Sequence, residues 1–156
     1  MSVKENKELV RRWIEEGLNG DHSVLDEVRA PEVVVVFNEG ERFEMKVKIK
    51  GTRGRNQGIN NAWPDGRWTV DRMVGEGDTV AVAFTFVGTH TETWKARYKN
   101  DRPDLPATNR KGRIVMHEFY RIADGKIVET SHPSGFLRYF MAMADGSLFK
   151  EQEEES

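Results

Sequence analysis

The sequence predicts a single α+β domain in which helices lie on one side of a strongly curved antiparallel sheet. Two helical patterns come first in the chain, β-branched and alternating segments follow them, and one further helical pattern comes last. With 156 residues, the chain has material for one hydrophobic core. Helices gathered on one face of a sheet bury the apolar sides of both, so this order of elements favours the α+β class.

The composition is that of a folded protein and excludes several kinds of site. Apolar residues make up 37% of the chain and charged residues 32%. The absence of cysteine excludes disulfides, thiolate nucleophiles and cysteine metal ligands. With a net charge of −2 and no basic block, we expect no nucleic-acid partner. We expect residues 1–150 to form the domain and residues 151–156 to be a disordered acidic tail.

The N-terminus and the hydropathy pattern indicate a cytoplasmic protein. Residues 1–7 include the charged Lys4, Glu5 and Lys7, where a signal peptide would lead into an apolar segment. No apolar run approaches the roughly 20 residues that would span a bilayer. We therefore expect no membrane partner.

Two helices are predicted at the start of the domain. Ser2 and Glu5 have the spacing of a capping box, and apolar residues recur at helical spacing over residues 9–18. Asn19-Gly20 ends this helix. A shorter helix follows and stops before Pro31.

Strand and turn signals account for most of the remaining chain. The β-branched residues 33–37 predict a buried strand, and strict alternation over residues 42–50 predicts a second strand with one wet face, reached through a turn at 38–41. A short, weak helix is expected over residues 52–62. The pattern predicts further strands over residues 68–74, 79–87, 114–122 and 126–132, and a last helix around residues 136–141.

Residues 91–112 form a long, charge-rich connection. Loops of about twenty residues inside a compact domain are usually functional lids or mobile segments. Its basic side chains could hold an anionic substrate near the mouth of a pocket, and a solvated surface loop is the alternative interpretation.

The last predicted hairpin brings a carboxylate and an imidazole to one face. Taking residues 123–125 as a three-residue loop sets Ile122 opposite Lys126, which makes Glu118 and His132 diagonal neighbours. A carboxylate beside an imidazole orients the ring and raises its basicity, so the pair can transfer protons. A structural cross-strand pair is the alternative. The same face is predicted to carry Met116, Tyr120, Ile122, Val128 and Thr130, and the opposite face Val115, His117, Phe119, Arg121, Ile127, Glu129 and Ser131.

Four segments carry a family resemblance. They read WPDGRW at 63–68, GDTVAV at 77–82, GTHT at 88–91 and FYRIADGKIVE at 119–129. Together they resemble the SnoaL-like polyketide cyclases, a family within the nuclear transport factor 2-like superfamily. The segment HPSGFLR at 132–138 is also similar to the phenazine-biosynthesis PhzA/PhzB branch.

This resemblance implies a cone-shaped sheet wrapped around the N-terminal helices and enclosing one small-molecule pocket. It further implies a homodimer with neither a metal nor an organic cofactor. The family's acid–base residue falls on His132, with a polar partner at Glu118. Apolar, aromatic and polar residues on the predicted inner faces are expected to bind substrate, namely Tyr120, Thr130, Met116, Phe84, Phe86, Thr69, Trp63, Val34 and Val36.

The predicted function is a cofactor-independent acid–base enzyme acting on a small, largely apolar carbonyl or polyketide-like compound. Cyclisation, isomerisation, dehydration and condensation are all open. His132 would be the base or acid, Glu118 its partner, and Tyr120 or Thr130 a donor to a developing oxyanion. The alternative, favoured by the four valines at 33–36, is a non-catalytic dimeric binding or accessory domain of the same fold.

Overall fold

In the computed structural model of the chain, residues 1–37, 43–97, 102–132 and 136–145 are described. The capping box forms as predicted: the Glu5 backbone N–H donates to Ser2 Oγ, and the Ser2 backbone N–H donates to the Glu5 carboxylate. It begins helix α1 (Val3–Arg12), which continues into a π-helical turn (Trp13–Gly17). The other helices are α2 (Val24–Val28), α3 (Ile49–Ala62) and α4 (Phe136–Asp145).

The six strands form one open, mixed sheet beside these helices, so the chain is a single α+β domain. The strands are β1 (Arg29–Phe37), β2 (Phe43–Lys48), β3 (Arg67–Glu76), β4 (Thr79–Thr89), β5 (Lys111–Ala123) and β6 (Lys126–His132). Their order in the sheet is β2-β1-β6-β5-β4-β3.

One pairing departs from the expected antiparallel sheet. Strands β1 and β6 run parallel, whereas all other neighbours are antiparallel. A parallel pair needs a long connection between its strands, and here more than half of the chain lies between β1 and β6 in sequence. Local alternation in the sequence contains no information about a pairing at that distance.

The burial pattern of β4 and β5 confirms the predicted inner face. Residues alternate between buried and exposed along β5, and the even-numbered ones from 112 to 122 face inward. On β4 the buried apolar side chains are Val80, Val82, Phe84 and Phe86, of which Phe84 and Phe86 were predicted to face inward. His117 and Phe119 lie on the outside of the sheet.

The β5–β6 turn differs from the predicted three-residue loop. Ala123 pairs with Lys126, so only Asp124 and Gly125 form the turn, and their φ angles are +50° and +70°. Two positive φ angles are the signature of a type I′ hairpin turn, which matches the twist of the flanking strands. Gly125 and Asp124 thus both take the left-handed conformation.

A bulge in β6 corrects the predicted register. Ile122 pairs with Ile127 and Arg121 with Glu129, so Val128 is the extra residue. The bulge turns Ile127 into the core, where it is fully buried, and leaves Val128 half-buried, the reverse of the prediction for both. Beyond the bulge Tyr120 pairs with Thr130.

An aromatic cluster closes the end of the core beside α4. Phe140 lies 5.6 Å from Trp63, 5.7 Å from Trp68 and 5.4 Å from Phe86 between ring centroids. His90 stacks on Trp63 at 4.6 Å, and its Nδ1 lies 3.2 Å from the Ala144 carbonyl oxygen. His90 therefore links the end of β4 to α4.

Part of the 91–112 connection is folded back on itself. Trp94 and Leu105 form an isolated β-bridge, and the Arg102 guanidinium lies 4.0 Å above the Trp94 ring. The expected turn at 38–41, the bend at 133–135 and the acidic tail at 151–156 lie outside the described residues. No helix among the described residues is long and apolar enough to cross a membrane.

Candidate active site

A cavity of about 230 Å³ lies between the helices and the inner face of the sheet. The π-helical turn, β1, α3 and strands β4 to β6 all contribute to its wall. Apolar side chains cover most of this surface, and a few polar groups project into it, as in small-molecule sites generally. The lining side chains used below are Trp13, Arg29, Val35, Phe37, Asn56, Arg55, Arg97, Trp68, Phe84, Glu118, Tyr120, Thr130 and His132.

The predicted acid–base pair lies in this cavity and is directly hydrogen-bonded. His132 Nδ1 is 2.5 Å from Glu118 Oε1, and each side chain is only 5% exposed. Continuing the pairing of Phe119 with Ser131 places Glu118 directly opposite His132, not diagonal to it. The corrected register thus brings the two side chains closer together than we predicted.

Tyr120 completes a chain of three side chains. Its hydroxyl donates to Glu118 Oε2, while Oε1 is held by the His132 ring, so both carboxylate oxygens are engaged. Tyr120 and Glu118 are two residues apart on β5 and therefore share the inner face. The carboxylate is fixed in position from both sides.

The charges of the site keep Glu118 ionised. Burial raises the pKa of the Glu118 carboxyl, but the charge of His132 and the hydrogen bonds from His132 and Tyr120 outweigh burial, and the resulting pKa is lowered. Burial and the nearby Glu118 charge raise the pKa of the Tyr120 hydroxyl well above its usual value. Tyr120 therefore keeps its proton and remains a hydrogen-bond donor to the anion.

Five of the predicted site residues line the cavity and six do not. Glu118, His132, Tyr120, Thr130 and Phe84 line it. The residues outside the lining are Met116, Phe86, Trp63, Thr69, Val34 and Val36.

The misplaced residues have simple physical reasons. On β1 the alternation points Val35 and Phe37 into the cavity, so the choice of Val34 and Val36 was wrong by one residue. Thr69 is exposed because its neighbour Trp68 faces inward. The remaining three, Met116, Phe86 and Trp63, are buried but pack in the core around the cavity.

Sequence reasoning missed the polar groups that the helices and the loop contribute. Arg29 begins β1, Arg55 and Asn56 lie on α3, and Arg97 lies in the 91–112 connection, and all four line the cavity. Alternation finds residues on strands, whereas these four come from separate elements. The basic character of the 91–112 loop was the one signal available, and it pointed to Arg97 among others.

Arg29 is the most unusual of these groups. Its residue surface is 4% exposed, its guanidinium lies 4.5 Å from the Trp13 ring centroid, and its Nε has no hydrogen-bond partner among the described residues. Burial, followed by the charge of Arg55, lowers the pKa of Arg29 to about 10, partly offset by Tyr120 and Glu118. Arg29 therefore remains a cation at neutral pH.

Trp13 reaches the cavity from the π-helical turn. The Leu18 backbone N–H donates to the Trp13 carbonyl oxygen at 3.0 Å, five residues back, and such turns often occur at functional sites. A Cβ on Gly17 would lie 3.1 Å from the Trp13 ring, so glycine leaves room for the indole. The turn thus positions the aromatic ring on which Arg29 rests.

Metal binding finds no support in the side chains that the structure describes. Within residues 1–37, 43–97, 102–132 and 136–145, no three His, Asp or Glu side chains form a group that could hold a metal ion. The polar groups of the cavity are one carboxylate, one imidazole, hydroxyls, an amide and guanidinium groups, a set suited to proton transfer and to binding oxygen atoms.

Comparisons with known proteins agree with this fold. Residues 8–134 match the family described as SnoaL-like polyketide cyclase. A structure from Jannaschia sp. CCS1, provisionally assigned to the same family, is 20% identical with a TM-score of 0.69, covering 91% of this chain and 92% of that one. No curated protein matches the sequence.

Two Streptomyces structures are also similar. IdmH from Streptomyces antibioticus, provisionally named a polyketide cyclase, is 26% identical with a TM-score of 0.61, covering 81% of this chain and 88% of that one. AclR from Streptomyces galilaeus, provisionally named a hydroxylase, is 22% identical with a TM-score of 0.64, covering 83% and 88%. The likeness to the phenazine-biosynthesis branch stays a prediction, since none of these matches bears on it.

Proposed function

Because the chain belongs to the SnoaL-like polyketide cyclase family, we propose that it is a cofactor-independent enzyme that moves protons on a small, largely apolar carbonyl compound bound in the cavity. The observation that carries this proposal is the buried Glu118–His132 hydrogen bond at the cavity wall. A carboxylate and an imidazole that are both removed from water are costly to stability unless they are well hydrogen-bonded. Their place in a pocket favours a role in chemistry.

In the proposed mechanism His132 acts through its second ring nitrogen. Glu118 accepts the Nδ1–H of His132, which fixes the tautomer in which Nε2 is basic. Nε2 takes a proton from the carbon next to the substrate carbonyl, and the electron pair moves to the carbonyl oxygen to give an enolate. In an isomerisation Nε2 returns the proton to a different carbon of a conjugated enolate. In a cyclisation or condensation the enolate carbon attacks a second carbonyl, and Nε2 gives the proton to the alkoxide that forms.

The fixed chain of hydrogen bonds changes one predicted role. Tyr120 has a single O–H, and it is donated to Glu118, so Tyr120 positions the carboxylate and does not donate to the substrate oxyanion. Thr130, buried and lining the cavity, remains as the hydroxyl that can donate to the enolate. The apolar wall of Val35, Phe84 and Trp68 would hold the rest of the substrate.

Hydrogen–deuterium exchange tests the proposal without knowledge of the complete reaction. Ligands are first selected from planar ketones and cyclic enones, such as 2-tetralone, by thermal shift. The protein should then accelerate exchange of the α-protons of a bound ketone in D₂O, followed by NMR. His132→Ala and Glu118→Gln should each slow this exchange by about 10²–10⁴-fold, the usual contribution of a positioned acid or base.

His117→Ala is the matched control because His117 is exposed on the other side of the same strand. It should exchange protons at the wild-type rate. An exchange rate that survives removal of both His132 and Glu118 would sink the acid–base proposal. Ligands that stabilise the protein but are neither converted nor exchanged at their α-protons would instead favour the alternative, a binding or accessory domain.

A further inference from the structure

The buried cation Arg29 has no partner among the described residues that would compensate for the cost of burying its charge. It lies in the wall of the cavity and, among the described residues, no hydrogen bond or ion pair reaches its guanidinium. The Trp13 ring beneath it offers only a cation–π contact. A charge removed from water is expensive unless an opposite charge or hydrogen bonds compensate for it, so a ligand should supply what the protein lacks.

Asn56 presents a second unsatisfied group in the same cavity. Its surface is 2% exposed, and neither its Nδ2 nor its Oδ1 has a hydrogen-bond partner within the described part of the chain. A buried amide without partners costs free energy, and such groups are rare in folded proteins. Asn56 also lines the cavity, so an unused donor and an unused acceptor lie at the cavity wall.

The charges around the cavity point the same way. Its described lining carries three guanidiniums, Arg29, Arg55 and Arg97, against one carboxylate, Glu118. That carboxylate is already engaged by His132 and Tyr120. Besides burial, the charge of Arg55 lowers the pKa of Arg29, and the charge of Arg97 lowers the pKa of Arg55, so these guanidiniums repel one another. An anion between them would relieve this repulsion.

We infer that the substrate is a small carbonyl compound bearing a carboxylate, and that Arg29 binds this carboxylate with Asn56 as a hydrogen-bonding neighbour. The inference rests on the proposed function for the identity of the reacting group, and it adds the anionic handle. Guanidinium groups bind carboxylates through two parallel N–H donors, which would orient the substrate as well as hold it. The apolar body of the same molecule would lie on Trp68 and Phe84.

Matched ligands test the inference by isothermal titration. The probes are 2-naphthoate and 2-naphthamide, which have the same shape and differ in charge. We expect the wild-type protein to bind the carboxylate at least about tenfold more tightly than the amide. Arg29→Met should reduce this ratio to near one, and Asn56→Leu should weaken carboxylate binding several-fold. Arg113→Met, at an exposed position on β5, removes the same charge and should leave the ratio unchanged.

Stability of the unliganded protein provides a second readout. Because Arg29→Met replaces a buried, unpaired charge by an apolar side chain of similar length, its thermal midpoint should equal or exceed that of the wild type. Should this variant fail to fold, Arg29→Lys decides, since a lysine keeps the charge but loses the planar fork and should lower the carboxylate preference several-fold. Equal affinities of the wild type for the two probes, or a carboxylate preference that is undiminished in the folded Arg29 variants, would overturn the inference.

These experiments distinguish a failure of the carboxylate-binding inference from a failure of the proposed enzymatic function. The two naphthalene probes report on charge recognition alone, and α-proton exchange reports on His132 and Glu118. A carboxylate preference that depends on Arg29 in a protein without exchange activity would support the anionic ligand and refute the enzyme. Exchange that depends on His132 without any carboxylate preference would do the reverse.

Discussion

At the scale of single residues, the site is organised around one carboxylate. Glu118 receives hydrogen bonds from His132 on one oxygen and from Tyr120 on the other. The arrangement fixes the ring for proton transfer and leaves Tyr120 as a positioning residue. Removing Glu118 would therefore unsettle two neighbours at once, and mutational effects on the three residues should not add.

The lowered pKa of Glu118 predicts a pH-dependent contribution to stability. A carboxyl whose pKa is lower in the folded than in the unfolded protein stabilises the fold fully above its unfolded value, near 4.5, and this contribution is lost as the pH falls through the folded value. Glu118→Gln should therefore be less stable than the wild type by about 1–3 kcal/mol at pH 7, the cost of a disturbed buried hydrogen bond. The difference should shrink as the pH falls below about 4.5.

Urea denaturation of both proteins between pH 3 and pH 7 measures this difference directly. Glu129→Gln is the matched control, since Glu129 lies on the other face of the same hairpin in a partly exposed pair with Arg121. Its effect should be small and similar at every pH. A Glu118→Gln difference that is constant down to pH 3 would mean that the carboxylate is not held as an anion.

At the scale of elements, the sequence predicted the helices and strands of the sheet domain, but not always which residues of a strand face inward or how two strands are registered. Alternation was clear on β5, where polar and apolar residues differ, and the inner face was predicted correctly there. On β1 four successive valines look alike from either side, so only the three-dimensional pairing decides that Val35 faces the cavity. In the same way, the bulge at Val128 depends on a two-residue turn that the sequence Ala-Asp-Gly does not distinguish from a three-residue one.

Helix α3 is longer than predicted and intrinsically weak. It contains Gly51, Gly54 and Gly58, each costing up to about 1 kcal/mol relative to alanine. One of them has a packing reason, because a Cβ on Gly51 would lie 3.3 Å from the Val47 side chain. Tertiary contacts therefore stabilise this helix where its composition does not.

Gly58 is the position where alanine should help. A Cβ there would meet the Trp94 indole at 3.6 Å, an ordinary contact. Gly58→Ala should raise the free energy of unfolding by about 0.5–1 kcal/mol in urea denaturation. Gly51→Ala is the comparison, since its Cβ would lie 3.3 Å from Val47. This variant should gain less free energy of unfolding than Gly58→Ala, or lose some. Equal effects of the two substitutions would show that propensity, not packing, governs α3.

At the scale of the whole molecule, the pair at the site was predictable and its surroundings were not. Glu118 and His132 belong to one hairpin, so a local register brings them together. Arg29, Asn56 and Arg97 come from three separate parts of the chain, and only the parallel pairing of β1 with β6 and the packing of α3 place them around one cavity. From the sequence alone, a polar residue on a single helix or strand is predicted to be solvated, and only the assembled fold shows that it is buried.

The outer face of β5 predicts a further property of the whole molecule. Phe119 is 50% exposed and Val115 39% exposed on this face, with His117 between them. Ile127, which we had placed on the same face, is buried by the bulge, so the apolar surface is smaller than expected but still includes a large aromatic ring. We propose that a second copy of the chain covers it, because soluble proteins seldom leave contiguous apolar surface in water.

Light scattering behind size exclusion at micromolar concentration checks this proposal. The expected mass is twice the 17.9 kDa of one chain. Phe119→Lys places a charge in the proposed interface and should shift the mass to that of a monomer, while leaving α-proton exchange in the cavity on the other side of the sheet intact. Arg121→Glu, next but one along the same strand and exposed, also changes the charge of the face but removes no apolar area. It should weaken the dimer less, and a wild-type mass of one chain would refute the proposed dimer.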